Sequence, residues 1–264
     1  MASDQAVPAP GASVEQAAAL PVIECRGIRL LLLDIEGTTC PVDFVSGTLF
    51  PYAARTMAAF LERHAATRPD VQRLLEASRE AWKQDRDPEA ARLRNQHPED
   101  LLGYLQLLIQ QDRKLPALKE LQGLLWEAGY DSGELIAPLF ADVQPALHRW
   151  KQLGLTLAVY SSGSVMAQKL LYRHSTWGDL STLFEHWFDT AVGPKHQSSS
   201  YSAIAAQLEL PAREILFISD AVAECRAASV AGMAVLFSDR PGNPGRDACG
   251  FRSLSSFGHL VLRP

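Results

Sequence analysis

The sequence predicts an α/β fold, a doubly wound parallel sheet with an inserted helical cap, and three apolar runs predict it. Segment 28–33 runs almost unbroken into Asp34, 155–160 into Ser161-Ser162-Gly163-Ser164, and 215–218 into Ser219-Asp220. Continuous apolar runs of this length, bounded by turn residues, suit strands covered on both faces by helices. Two weaker strand candidates follow at 186–190 and 233–237.

Helical patterns separate the strands. A helix over 145–153 closes at Gly154, a second covers 165–172, and a third covers 201–208. Strand alternating with helix implies crossover connections and a parallel sheet. Residues 46 to about 140 break the rhythm. Leu49, Ala53, Met57, Phe60 and Leu61 recur at helical spacing, as do Val71, Leu74, Leu75 and Trp82. Leu101, Leu105, Leu108 and Ile109 mark a third helix, and 116–128 a fourth, with Gly129 as its stop. The polar stretch 83–100, with Pro88 and Pro98, reads as a surface excursion.

These patterns divide the chain into an extension at 1–25, a core at 26–45 and 141–264, and a helical cap at 46–140. The extension has no Lys or Arg in its first 24 residues, and Pro21 interrupts its apolar stretch. A secretory signal needs a basic start, so the segment reads as flexible and the location as cytoplasmic. The balance of 25 Lys and Arg against 30 Asp and Glu, net −5, excludes a basic nucleic-acid binder or a polybasic membrane protein. No apolar run approaches the roughly 18 residues of a membrane helix. The four cysteines show no metal-ligand spacing and read as reduced thiols.

In open α/β sheets, ligands bind beyond the carboxyl ends of the strands. The first run ends in Asp34 and Glu36, ahead of Gly37-Thr38-Thr39. The second ends in Ser161 and Ser162. The third ends in Asp220, with Glu224 one helical turn later. Lys195 sits in a Gly193-Pro194-Lys195 loop after the fourth strand candidate. Carboxylates about 4 Å apart repel by about 4 kcal/mol at an effective dielectric near 20, so gathering them requires a cation. Oxygen ligands suit Mg²⁺, and serines at a helix start suit a phosphate. A carboxylate nucleophile, a metal and an anion cradle together describe phosphoryl transfer through an aspartyl-phosphate. Each piece alone has a structural explanation: a solvated turn, a helix N-cap, a surface lysine, a helix-face glutamate. Their shared position at strand ends favours the chemical reading.

Asp34-Ile35-Glu36-Gly37-Thr38-Thr39, Ser161-Ser162-Gly163-Ser164, the loop lysine and Ser219-Asp220 resemble the four motifs of the haloacid dehalogenase superfamily. Within it, segments 44–52, 140–147, 159–180 and 240–245 resemble the enolase-phosphatases of methionine salvage, and Glu36 is typical of that branch. The resemblance implies a Mg²⁺-dependent, monomeric enzyme with one ion per subunit. Its substrate would be a phosphorylated diketone, 2,3-diketo-5-methylthiopentyl-1-phosphate, enolised and then dephosphorylated to an acireductone. It places Asp34, Glu36 and Asp220 on the metal and Ser161, Ser162 and Lys195 on the substrate. By superfamily analogy Asp34 is the phosphatase nucleophile. Glu36, two residues on, is the candidate proton shuttle. The helical insertion would act as a lid, with Lys119 and Gln122 either facing the pocket or belonging to a packed helix. Two other readings stay open: a phosphatase of the same fold acting on another small phosphate ester, and a phospho-accepting signalling module. Receivers of that kind are about half this length and lack the insertion.

Overall fold

The computed structural model describes residues 22–263. Its main sheet has six parallel strands in the order β4-β3-β2-β5-β6-β7. These are β2 (Leu30–Leu33), β3 (Thr156–Tyr160), β4 (His186–Phe188), β5 (Ile215–Ser219), β6 (Ala234–Ser238) and β7 (Ser253–Leu254). A separate parallel pair joins β1 (Ile23–Arg26) to β8 (Leu260–Arg263). The four leucines of β2 are fully buried because they serve both faces. Leu31 and Leu33 enter the larger core, and Leu30 and Leu32 the smaller one. At roughly 2 kcal/mol per buried leucine, this strand anchors the layers that position the loop after it.

Of the seven α-helices between β2 and β3, the first six are α1 (Val42–Phe44), α2 (Phe50–His64), α3 (Pro69–Gln84), α4 (Pro88–Gln96), α5 (Leu101–Gln110) and α6 (Pro116–Asp131). A π-helical turn, Val45–Leu49, links α1 to α2. The segment expected to be a surface excursion contains α4. Asp87 caps it by accepting from the Glu89 and Ala90 amides, and Pro88 sits in the first turn, where no N–H is needed. Gly129 does not stop α6. It lies within the helix, where a Cβ would meet the Tyr52 ring at 2.6 Å, so glycine is there for close helix packing. The remaining helices are α7 (Val143–Gln152), α8 (Val165–Arg173), α9 (Ser198–Gln207) and α10 (Val222–Val230).

The extension expected over 1–25 ends earlier than its predicted boundary. Ile23–Arg26 is a strand because its alternating burial docks Ile23 against the core beside Leu260. Residues 1–21 lie outside the described residues. Among the described residues no helix is long and apolar enough to cross a membrane.

Arg240, 3% exposed, fastens the sheet edge. It donates through Nη1 to Asp142 at the start of α7 (2.7 Å) and to the Ser255 carbonyl, and through Nε to the Thr38 carbonyl. Its guanidinium also lies between the Phe140 and Phe257 rings. Burial pushes the Asp142 carboxyl upward, but the bonds from Arg240, Ser256 and the Phe257 amide outweigh it and hold the group below its ordinary value. A depressed folded-state value stabilises above the unfolded value and is lost as pH falls through the folded one. Asp142→Ala is therefore expected to cost about 3 kcal/mol in urea denaturation at pH 7, the usual scale for orphaning a buried charge. The difference from the parent chain is expected to shrink below about pH 4.

Candidate active site

β2 lies at the centre of the sheet, with β3 on one side and β5 on the other, so the order of connection reverses around it. A crevice opens at such a switch point, beyond the carboxyl ends of the strands. Asp34 stands there, its amide bonded to the Ile218 carbonyl of β5 (3.0 Å) and its side chain buried. The chain then folds back tightly. The amides of Thr38, Thr39 and Cys40 all donate to the Ile35 carbonyl, and Gly37 takes φ +66°. Only glycine adopts that conformation without strain. Thr39 Oγ1 and the buried Tyr172 hydroxyl, 2.8 Å apart, tie the loop to α8.

Lys195 is buried, not a solvated surface charge. Its Nζ donates to Asp34 Oδ1 (2.6 Å) and reaches Glu224 Oε2 at 2.7 Å. Ser219 Oγ lies between the same two carboxylates, 2.8 Å from Glu224 Oε2 and 3.3 Å from Asp34 Oδ2. Burial disfavours the lysine's charge, yet Asp34 and Glu224 outweigh that and keep it protonated. Four carboxylates gather around this one buried cation. Burial, then Asp34, then Glu224 pushes Asp220 up to about 7. Burial and Asp34 push Glu36 up to about 7, and Glu224 is raised for the same reasons. Glu224 was singled out only as an ambiguous helix residue. Its partnership with Lys195 links the start of α10 to the loop after β4, a contact with no local pattern in the sequence.

The crowding favours binding of a further positive charge, and the donors are all oxygen, the set a hard divalent cation takes. The three expected metal positions are neighbours but do not close a cage of their own. Among the described residues no three His, Cys, Asp or Glu side chains form one. Glu36 borders the cavity and feels Asp34 and Lys195 first, then Lys114 and Asp112 of the α5–α6 loop, whereas Asp220 packs on Gly37. A fit for Mg²⁺ thus rests on Asp34 and Asp220, completed by backbone oxygen, water and substrate, the way this ion is commonly bound.

A cavity of about 840 Å³ opens from this point toward the helices. Glu36, Ser161, Ser162, Asp189 and Thr190 line its sheet end, and Val45, Leu49, Phe50, Ile109, Leu118 and Trp126 line its helical end. Asp34, Lys195 and Asp220 lie outside its lining. The N-cap of α8 is Ser164, whose Oγ accepts from the Ala167 amide (3.3 Å). Ser161 and Ser162 precede the cap and do not serve it. Gln168 donates to the Gly163 and Phe188 carbonyls, holding the serine loop against β4. On the opposite wall, α6 presents both of its polar candidates to the cavity. Lys119 Nζ reaches across to the Ser162 carbonyl (2.9 Å), and Gln122 is buried in the lining. Leu121 and Leu125 are packed on the inner side of the same helix.

A Cβ on Gly37 would overlap the Asp220 carboxylate and come within 2.9 Å of Asn243 Oδ1 on the same side. Gly37→Ala is expected to lose about 2 kcal/mol in chemical denaturation, from left-handed strain together with displacement of Asp220.

A model of the haloacid dehalogenase-like hydrolases matches residues 28–232. Enolase-phosphatase E1 of Synechococcus sp. (strain RCC307) is 55% identical over 224 residues, 84% of this chain and 90% of its own length. Enolase-phosphatase E1 of Prochlorococcus marinus (strain MIT 9313) is 48% identical over 227 residues, 83% of this chain and 92% of its own. Among solved structures, the Unknown transcript 4 protein of Saccharomyces cerevisiae superposes with a TM-score of 0.70 at 33% identity. That match covers 86% of this chain and 97% of the yeast protein.

Proposed function

The chain belongs to the enolase-phosphatase family of the haloacid dehalogenase-like hydrolases, and from that membership we propose how its residues divide the reaction. It is a phosphoric monoester hydrolase of methionine salvage. Its substrate is 2,3-diketo-5-methylthiopentyl-1-phosphate, which it enolises and dephosphorylates to 1,2-dihydroxy-3-keto-5-methylthiopentene. The observation that carries the assignment of roles is the convergence of Asp34, Asp220, Lys195 and the Ser161-Ser162 turn at one switch point, beneath a cavity that is apolar toward its far end.

The phosphate end of the substrate sits against Ser161 and Ser162, whose hydroxyls and turn amides favour an anion. Asp34 attacks phosphorus, forming a P–O bond as the bond to the substrate oxygen breaks. Water then hydrolyses the acyl phosphate and regenerates the carboxylate. Lys195, already bonded to Asp34, fixes the direction of that carboxylate and provides positive charge beside the phosphoryl group. Mg²⁺ would be held by Asp34, Asp220 and the Glu36 carbonyl, supplying charge neutralisation at phosphate and polarisation of a ketone oxygen. That carbonyl accepts none of the hydrogen bonds described around the loop.

Glu36 is the proton shuttle. Its carboxyl reaches the cavity, and a group raised to about 7 is poised to accept and return a proton near neutrality. The proton leaves the carbon beside the diketone, and the electron pair moves into the enolate oxygen. Residues 46–140 act as the cap over the cavity, and the Lys119–Ser162 contact is the latch that keeps water from the acyl phosphate. The four free thiols suit a reducing, cytoplasmic setting.

Asp34→Asn is expected to retain the fold and lower phosphate release at least about a thousandfold, read by phosphate assay beside circular dichroism. Chelation of the metal is expected to abolish both phosphate release and the acireductone absorbance. A generic aryl phosphate assayed in parallel is expected to turn over poorly. Equal turnover of the two esters would contradict the assigned substrate.

A further inference from the structure

The turn after β6, Arg240-Pro241-Gly242-Asn243-Pro244-Gly245, has a role beyond reversing the chain. Asn243 is 7% exposed, and its Nδ2 donates to the Gly37 carbonyl (2.9 Å) and the Ser238 carbonyl (3.2 Å). Two carbonyl acceptors fix which amide atom is nitrogen, because an oxygen there would face two lone pairs. The Gly37 carbonyl also accepts from Ser238 Oγ (2.8 Å), and the adjacent Thr38 carbonyl accepts from Arg240 Nε (3.2 Å). Three side chains from one end of β6 thus grip two consecutive carbonyls of the loop that carries Asp34 and Glu36.

The other half of the Asn243 amide is buried without a partner. Its Oδ1 faces the same side of the Gly37 α-carbon as the Asp220 carboxylate. Leaving a buried acceptor unmatched is unfavourable, so its presence beside another acceptor calls for a donor from outside the protein. A hydrated hard cation carries such donors, because Mg²⁺ keeps several of its waters when protein-bound.

We propose that Asn243 is a positioning residue of the cation site, clamping Gly37 through its Nδ2 and offering its Oδ1 to a water carried by the ion beside Asp220. This rests on the Mg²⁺ reading above. The clamp sets the spacing between Asp34 and Asp220, which come from different strands, and the oxygen orients what lies between them. Outer partners of this kind are commonly worth 10–100-fold in metal affinity.

The test titrates Mg²⁺ into the full-length parent chain, Asn243→Ala and Ser238→Ala by calorimetry, with thermal melts alongside. The Asn243→Ala variant is expected to bind Mg²⁺ about tenfold or more weakly and to recover most of its kcat at saturating Mg²⁺. Ser238→Ala removes the second donor to Gly37 but keeps Oδ1, and is expected to weaken binding less. A folded Asn243→Ala variant with parental Mg²⁺ affinity would overturn the proposal, since a purely structural turn residue moves the melt alone. Equal weakening in both variants would overturn the role of Oδ1. If the alanine variant does not fold, Asn243→Ser, too short to reach Gly37, is held to the same expectation. A parent chain that binds no Mg²⁺ would instead overturn the metal reading itself.

Discussion

Everything at the functional end of this molecule follows from four carboxylates sharing one buried lysine. Asp34, Glu36, Asp220 and Glu224 arrive from two loops and a helix start, and buried Lys195 pairs directly with Asp34 and Glu224 and acts on the other two at longer range. Such a cluster is unfavourable on its own terms. It persists because the sheet over-determines it: β2 is buried on both faces, β5 pairs along its whole length, and the loops have nowhere else to go. The fold holds the carboxylates at a charge density that a divalent ion and a phosphoryl group relieve.

That stored repulsion explains the division of labour around it. The side that touches the sheet is rigid, with Tyr172, Asn243 and Arg240 each bonded to the 34–39 loop or its backbone. The side that touches the helices is a cavity with apolar walls and a few polar groups from α6 and the α5–α6 loop. In that loop Asp112 takes φ +48°, a conformation uncommon for a non-glycine residue, and its charge is felt at Glu36. The sheet is thus suited to the chemistry common to many phosphate esters, and the helical insertion to choosing among them. The same physical separation lets one superfamily core serve different substrates.

The central strands β2, β3 and β5 were legible in the sequence because they are buried and read as unbroken apolar runs. Strands β4 and β6, partly exposed, gave weaker signals, and the two-residue edge strand β7 was missed. The polar residues at the ends of the central strands were legible for the same reason, since each run stops abruptly at Asp34, Ser161 or Ser219. The β1–β8 pair was missed because its alternation is short and its partners lie at opposite ends of the described chain. Helix α4 was hidden because only Ala90 in it is buried, leaving a cap and a proline as its signal. Glu224 was marked only by its place one helical turn after Asp220, and Asn243 only by its turn, because their partners come from segments brought close by the crossovers. Asp34 together with Asp220 was foreseeable from strand-end position, but the place of Glu36 at the border of the cavity was not.

In the proposed arrangement the strand ends present one hard-cation site bridging Asp34 and Asp220. Anomalous diffraction from crystals of the chain soaked in Mn²⁺ tests it most directly. One strong peak per chain between those two carboxylates is the predicted result. Ions found only at surface acids, with the space between Asp34 and Asp220 empty, would contradict it.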